Sequence, residues 1–273
     1  MFGATLLALG AAVLHAGWNM AIKQSGDRWL SLWAQMTIAG VMCAVVVAAC
    51  GGVPSEAWLW ASLSGAVHVG YVWFLARAYD LGDFSVTYPI ARGTGAVIAA
   101  CGGVLFLSDH LSYINIIGIA ITAIGLFILA GPADNAHVVA ALCVSATIGV
   151  YSTIDGHGSR STGGNLYPLT IFITAAIFIS LHGLATGKKA EMARVLCERW
   201  RPLTLTASAS VLTYWMVLLA VQHASVGYVT AIRESSVVIA ALVGWKFMKE
   251  DHGRRRLIAA AIAVVGLAVL VSG

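Results

Sequence analysis

Two stretches, GVLFLSDHLSYINIIGIAITAIGLFILAG at residues 103–131 and WKFMKEDHGRRRLIAAAIAVVGLAVLVSG at residues 245–273, decide how the chain folds. Each joins two apolar runs through a short polar corner, Ser108-Asp109-His110 in the first and Glu250-Asp251-His252 in the second, 142 positions later. Working outward, the chain from Tyr71 to Gly131 reads as an aromatic-rich helix, a small polar turn, a helix carrying an arginine, the Asp-His turn and a glycine-rich helix. The chain from Tyr214 to Gly273 repeats that order. An internal repeat that is apolar almost throughout points to a membrane transporter, because transporters commonly build a central site between two related halves.

Composition agrees. A chain of 273 residues that is 59% hydrophobic and 10% charged, with a mean hydropathy of +0.86, is too apolar for a soluble domain of its length. At about 20 residues per bilayer crossing, it divides into about ten spans, at roughly 3–22, 29–50, 57–79, 84–107, 112–131, 135–154, 165–186, 202–221, 225–248 and 255–272. Connections are short, with Pro54, Pro132 and Pro202 near helix starts. The expected fold is therefore an all-α polytopic membrane protein, and no connection has room for a soluble domain. Five helices per half oblige the second half to enter the bilayer upside down, so the halves, residues 1–131 and 132–273, are expected as two inverted five-helix repeats.

The formal charge of +4 does not indicate nucleic acid. Of the sixteen Lys and Arg, all but Arg92, Arg160 and Arg233 lie in or beside the odd-numbered connections, which the positive-inside rule assigns to the cytoplasm, with both termini outside. The five cysteines have no paired spacing and read as small packing residues. No basic residue precedes Lys23, so the first helix reads as a retained span rather than a removable signal.

Gly17-Trp18-Asn19 with Lys23 at the end of helix 1, the acidic corners after helices 4 and 9, and the glycine-rich last helix of each half resemble the EamA-type branch of the drug/metabolite transporter superfamily. That resemblance covers the whole chain. It implies a basket in which helices 1, 3, 4 and 6, 8, 9 line a cavity while helices 5 and 10 pack at the edge, and it implies movement of small metabolites across a plasma membrane, the bacterial inner membrane. It also implies cytoplasmic termini, opposite to the charge count.

Candidate site residues follow from charge and polarity at membrane depth, where an ionised group is costly unless paired or facing water. Arg92 in helix 4 and Glu234 in helix 9 are 142 residues apart, equivalent places in the two halves, and Arg233 precedes the glutamate. Either Glu234 pairs with Arg92 or Arg233 and holds the halves together, or arginine grips a carboxylate or phosphonate while Glu234 binds an ammonium or a proton. With all three facing one cavity, a net positive charge would remain, favouring an anionic or zwitterionic solute. Tyr88, four residues before Arg92, shares its face, and Pro89 between them is expected to kink or open the helix. Helix 1 offers His15, Trp18 and Asn19 on one face; Tyr151 stands opposite in helix 6; His68 and Tyr71 in helix 3 and Tyr214 in helix 8 complete the set. Asp109 and Asp251 are expected to cap helices 5 and 10, whose Gly118, Gly125 and Gly266 allow close approach of a neighbouring helix or of a second copy.

The expected function is secondary transport of a small polar metabolite, an amino acid or related carboxylate or phosphonate, by alternating access. The expected partners are a small-molecule substrate, the lipid bilayer and a coupling proton on Glu234 or His15, with no nucleic acid and no cofactor, in a monomer or homodimer. One alternative is a quaternary ammonium carrier using Trp18, Tyr88, Tyr151 and Tyr214 as an aromatic cage. Another is a membrane sensor or structural subunit that moves nothing. An intramembrane enzyme lacks support, because no His-Glu-x-x-His motif, facing aspartate pair or Ser-His dyad occurs at usable spacing.

Overall fold

The computed structural model describes residues 2–23, 25–81, 84–130, 135–238 and 253–273. Among them there is no strand. The helices are α1 (Phe2–Lys23), α2 (Arg28–Ala49), α3 (Ser55–Leu81), α4 (Phe84–Phe106), α5 (Tyr113–Ala130), α6 (Asn135–Thr162), α7 (Tyr167–Ala185), α8 (Lys189–Val221), α9 (Val226–Arg233) and α10 (Gly253–Ser272). Seven are long and apolar enough to cross a bilayer, and α5 and α10 contain the shorter apolar stretches Tyr113–Ile128 and Ile258–Ser272. The side-chain distribution is that of a protein dissolved in lipid. Alanines such as Ala8, Ala34, Ala57, Ala99, Ala207 and Ala259 are fully buried, whereas Leu105, Phe106 and Leu205 are about three-quarters exposed. Hydrocarbon tails offer no hydrophobic drive for helix association, so interiors use small residues that let backbones approach and polar groups that bond across helices. Thr174 Oγ1 donates to the Ala61 carbonyl at 2.6 Å, Ser145 Oγ to Ala91 at 3.0 Å and Asn115 Nδ2 to Leu270 at 2.9 Å. The protein is an all-α, multi-pass membrane protein.

Three boundaries differ from the hydropathy reading. Helix α6 runs on to Thr162, past the expected end at 154, so Asp155 and Arg160 belong to a helix. Helix α8 starts at Lys189 rather than at 202 because a charged segment precedes its apolar one. The two meet at Arg199, which leaves helical geometry at φ −125°, just before Pro202 removes a backbone donor. Met192 of the charged segment is buried and abuts Gly183 of α7. Conversely, α4 passes through Pro89 without a break. At Glu234 the helix tightens without breaking: the residue keeps helical dihedrals (φ −66°, ψ −12°), its amide is shared between the Thr230 and Ala231 carbonyls, and its own carbonyl accepts the Val237 amide.

Packing follows a rule of exchange. α3 lies against α6 and α7, α4 against α6, α8 against α1 and α2, and α9 against α1, while α2 meets α7, α4 meets α9 and α5 meets α10. Replacing each of α1–α5 by the helix five places later, and each of α6–α10 by the one five places earlier, returns the same set of pairs. The glycines expected to serve a helix neighbour or a second copy are occupied within the chain. A Cβ on Gly118 would meet the Leu270 backbone, one on Gly125 the Ala263 backbone and one on Gly266 the Thr122 backbone, so all three sit in the α5–α10 seam.

The first polar corner works differently from the expectation. Ser108, at φ 55°, turns the chain after α4, and the α5 start is capped reciprocally by Ser112 and Asn115, each accepting the other's amide at 3.1 and 3.0 Å. Asp109 instead reaches α9 in the second half. Its Oδ2 accepts the Val226 amide at 2.7 Å and its Oδ1 accepts Arg160 Nη1 at 2.7 Å. Arg160 also donates to the carbonyls of Val221 and Ala224, both at 3.0 Å. The second corner, with Asp251, lies outside the described residues.

Candidate functional site

Helix periodicity brings the predicted residues together from six helices. His15 and Trp18, three apart on α1, place their rings edge to face at 4.8 Å. His68 and Tyr71 do the same on α3, and His68 stacks on Tyr151 of α6 at 4.5 Å. Tyr151 in turn meets Tyr71 at 5.6 Å and Tyr214 of α8 at 6.2 Å, both edge to face. These aromatics wall a small cavity of about 40 Å³, narrower than a ligand site of about 300–1,000 Å³. Its lining includes His15, Trp18, Tyr71, Tyr151, Tyr214 and, from α9, Arg233.

Three predicted residues stand differently. Asn19 is buried but donates its Nδ2 to the His15 carbonyl of its own helix at 2.9 Å, and it is not on the cavity wall. Arg92 and Glu234 meet each other. Nε donates to Oε2 at 2.9 Å and Nη2 to Oε1 at 2.7 Å, a two-pronged pair with side-chain exposures of 2% and 0%. This geometry satisfies one edge of the guanidinium and both carboxylate oxygens at once. Two residues 142 positions apart, on α4 and at the end of α9, thus touch in the interior. The side chain of Tyr88 lies outside what the structure describes.

Arg233 is the contrasting case. It is 2% exposed, lines the cavity, and has no ion-pair partner among the described residues; its Nε is buried without an acceptor. The indole Nε1 of Trp18, on the same cavity, also lacks an acceptor. Burying a donor with nothing to receive it costs about 1–3 kcal/mol, more for a charged one. Both side chains belong to the lining of the same cavity.

The sequence reading did not single out Asp155, a fully buried carboxylate one turn beyond Tyr151 on α6. Its Oδ2 accepts the Tyr214 hydroxyl, and its Oδ1 accepts the Tyr167 hydroxyl of α7 at 3.3 Å. Because Tyr214 lines the cavity and Asp155 does not, the carboxylate stands behind the tyrosine. The central charges are therefore Arg92 with Glu234, Arg233, and Asp155, which balance; the expected net positive charge becomes a local one at Arg233. The signal available in the sequence was an Asp four residues after Tyr151, hidden because the polar run from Asp155 to Arg160 resembles a loop.

Comparison with known proteins agrees with this architecture. The sequence model of the EamA-like transporter family matches residues 136–272. A Sinorhizobium protein described as an uncharacterized transporter in the cobO 3' region is 31% identical over 135 residues, covering 47% of this chain and 94% of its own length. A protein crystal structure superposes with a TM-score of 0.72 at 17% identity, covering 98% of this chain and 96% of the other, a likeness of fold. With ten helices among the described residues, packed around buried polar side chains, and a family match over half its length, the chain belongs to the EamA-like transporter family.

Proposed function

We propose that this membrane transporter is a secondary carrier of a small anionic or zwitterionic metabolite, such as an amino acid or a related carboxylate or phosphonate. The solute binds in the aromatic cavity and moves by alternating access between two inverted halves, residues 1–131 and 132–273, in a bacterial inner membrane. The observation that carries the solute class is the pair of buried donors without acceptors, Arg233 Nε and Trp18 Nε1, in two side chains that line the same cavity. A carboxylate or phosphonate supplies acceptors to both. The division into halves is supported by the exchange rule in the packing, by a family match that falls within the second half, and by a relative nearly all of which aligns to about half of this chain. The sequence carries no nucleotide-binding motif, so a gradient is the proposed drive.

The test is a thermal-shift panel of amino acids, organic anions, phosphonates and quaternary amines on the purified protein and on Arg233→Gln. Arg233 is the informative position, because Arg92→Ala would strand Glu234 in the core whatever the solute. Stabilisation by an anion or zwitterion that disappears in Arg233→Gln is the expected outcome. Stabilisation by quaternary amines that improves in Arg233→Gln would replace this reading with the aromatic cage, for which Trp18, Tyr151 and Tyr214 stand ready on the wall.

A further inference from the structure

Among the buried charges, Asp155 belongs neither to the Arg92–Glu234 pair nor to the cavity lining that carries Arg233. Glu234 is held by a guanidinium, which can only donate, so a proton added to Glu234 would leave a buried arginine without its counter-charge. His15 shares the cavity lining with Arg233, so a proton there would set a second positive charge beside one that has no ion-pair partner among the described residues. Neither is a place to load and unload a proton at low cost.

Asp155 differs in what surrounds it. Tyr214 from α8 and Tyr167 from α7 hydrogen-bond to it, and the Ser64 hydroxyl faces it from α3. Next to Ser64 along α3 stands His68, whose Nδ1 is 2.8 Å from the Ser64 carbonyl. On its own helix, His157 packs on Trp60 and Arg160 is engaged by Asp109. No Lys or Arg pairs with Asp155 among the described residues. Its partners are hydroxyls, which donate to a carboxylate and accept from a carboxylic acid, so both charge states of Asp155 can be fully hydrogen-bonded without moving a helix. One partner, Tyr214, also faces the cavity.

We propose that Asp155 is the proton-binding site of the transport cycle and that Tyr214 passes its state to the cavity. This rests on the transport reading above and deepens it. When a proton adds to Asp155, the new O–H bond makes the carboxyl a donor; the Tyr214 oxygen accepts it, and the Tyr214 hydroxyl hydrogen turns from Asp155 towards the cavity. The cavity then offers three donors to the solute, those of Arg233, Trp18 and Tyr214. When the proton leaves, Tyr214 turns back and one donor is withdrawn. Proton and solute anion therefore load together and unload together.

Infrared difference spectroscopy of the full-length purified protein between about pH 5 and pH 9 tests the site without any solute. The expected result is a carbonyl stretch of a protonated carboxylic acid that grows as pH falls, is lost in Asp155→Asn and is kept in Glu234→Gln. A band that persists in Asp155→Asn, or a wild-type protein with no such band across the range, overturns the proposal. Where Asp155→Asn does not yield folded protein, Tyr214→Phe decides. With a donor to the carboxylate removed, the band must persist to higher pH, and an unchanged band overturns the proposal. Since the readout needs no ligand, a failed solute panel and a failed proton assignment are separate results.

Discussion

At the scale of single residues, the pair and the lone cation at the centre should answer mutation in opposite ways. Glu234→Gln leaves Arg92 buried without its counter-charge and is expected to cost about 3–5 kcal/mol. This would appear as a lower melting temperature in detergent, while the exchange Arg92→Glu with Glu234→Arg should recover much of the loss. Arg233→Gln removes a cation that has no partner among the described residues, so its melting temperature should hold or rise while anion binding goes. Trp18→Phe keeps the ring and deletes one donor, and a loss of about 1 kcal/mol, near fivefold in affinity, is expected in ligand titrations. Arginine and glutamate in apolar helices are conspicuous at 142-residue spacing, so their importance was legible in the sequence. Which arginine would be consumed by the glutamate was not, because that depends on how α4 and α9 rotate against each other. Asp155 escaped for a simpler reason: a hydropathy reading ends a span where polarity begins, although α6 continues as a helix.

At the scale of elements, the seam between α5 and α10 is the closest backbone approach among the helices carrying these glycines. A side chain at Gly118 or Gly266 meets backbone that cannot step aside. Gly118→Val and Gly266→Val are therefore expected to lower the yield of monodisperse protein or its melting temperature sharply. Ile117→Val, on a residue 51% exposed, should do neither. Elution from a sizing column should show no change in oligomeric state for Ile117→Val. Most helices were legible from apolar length alone. The charged first part of α8 was not, because hydropathy sees only the part after Pro202. Nor could sequence show that α4 absorbs Pro89 while the chain tightens at Glu234. Pro89 is the sixth residue of α4, so it removes the one intrahelical bond to the Ser85 carbonyl while the helix continues on either side.

At the scale of the whole molecule, one end of the basket is fastened. Asp109 from the first half, together with Arg160 and the start of α9 from the second, forms a latch on the face of the even-numbered connections. If alternating access opens that face, Arg160→Gln should admit reagents to the cavity faster. With the native cysteines replaced and Ser210→Cys as a reporter on the cavity lining, a membrane-impermeant maleimide should label at least about tenfold faster from that face, the factor that loss of a single charged hydrogen bond supplies. An unchanged rate would mean that the barrier lies elsewhere. The side from which labelling accelerates also decides between the outside termini of the charge count and the cytoplasmic termini of the family resemblance. Finally, the contact between Arg92 and Glu234 bears on ancestry. A second half pairing with a copy of itself about the same centre would set Glu234 against Glu234, and a first half would set Arg92 against Arg92. Either like-charged couple in a dry interior would repel. If the halves are repeats, divergence at these two positions closes the way back to a symmetric dimer of identical pieces, and a single chain supplies one of each in equal number.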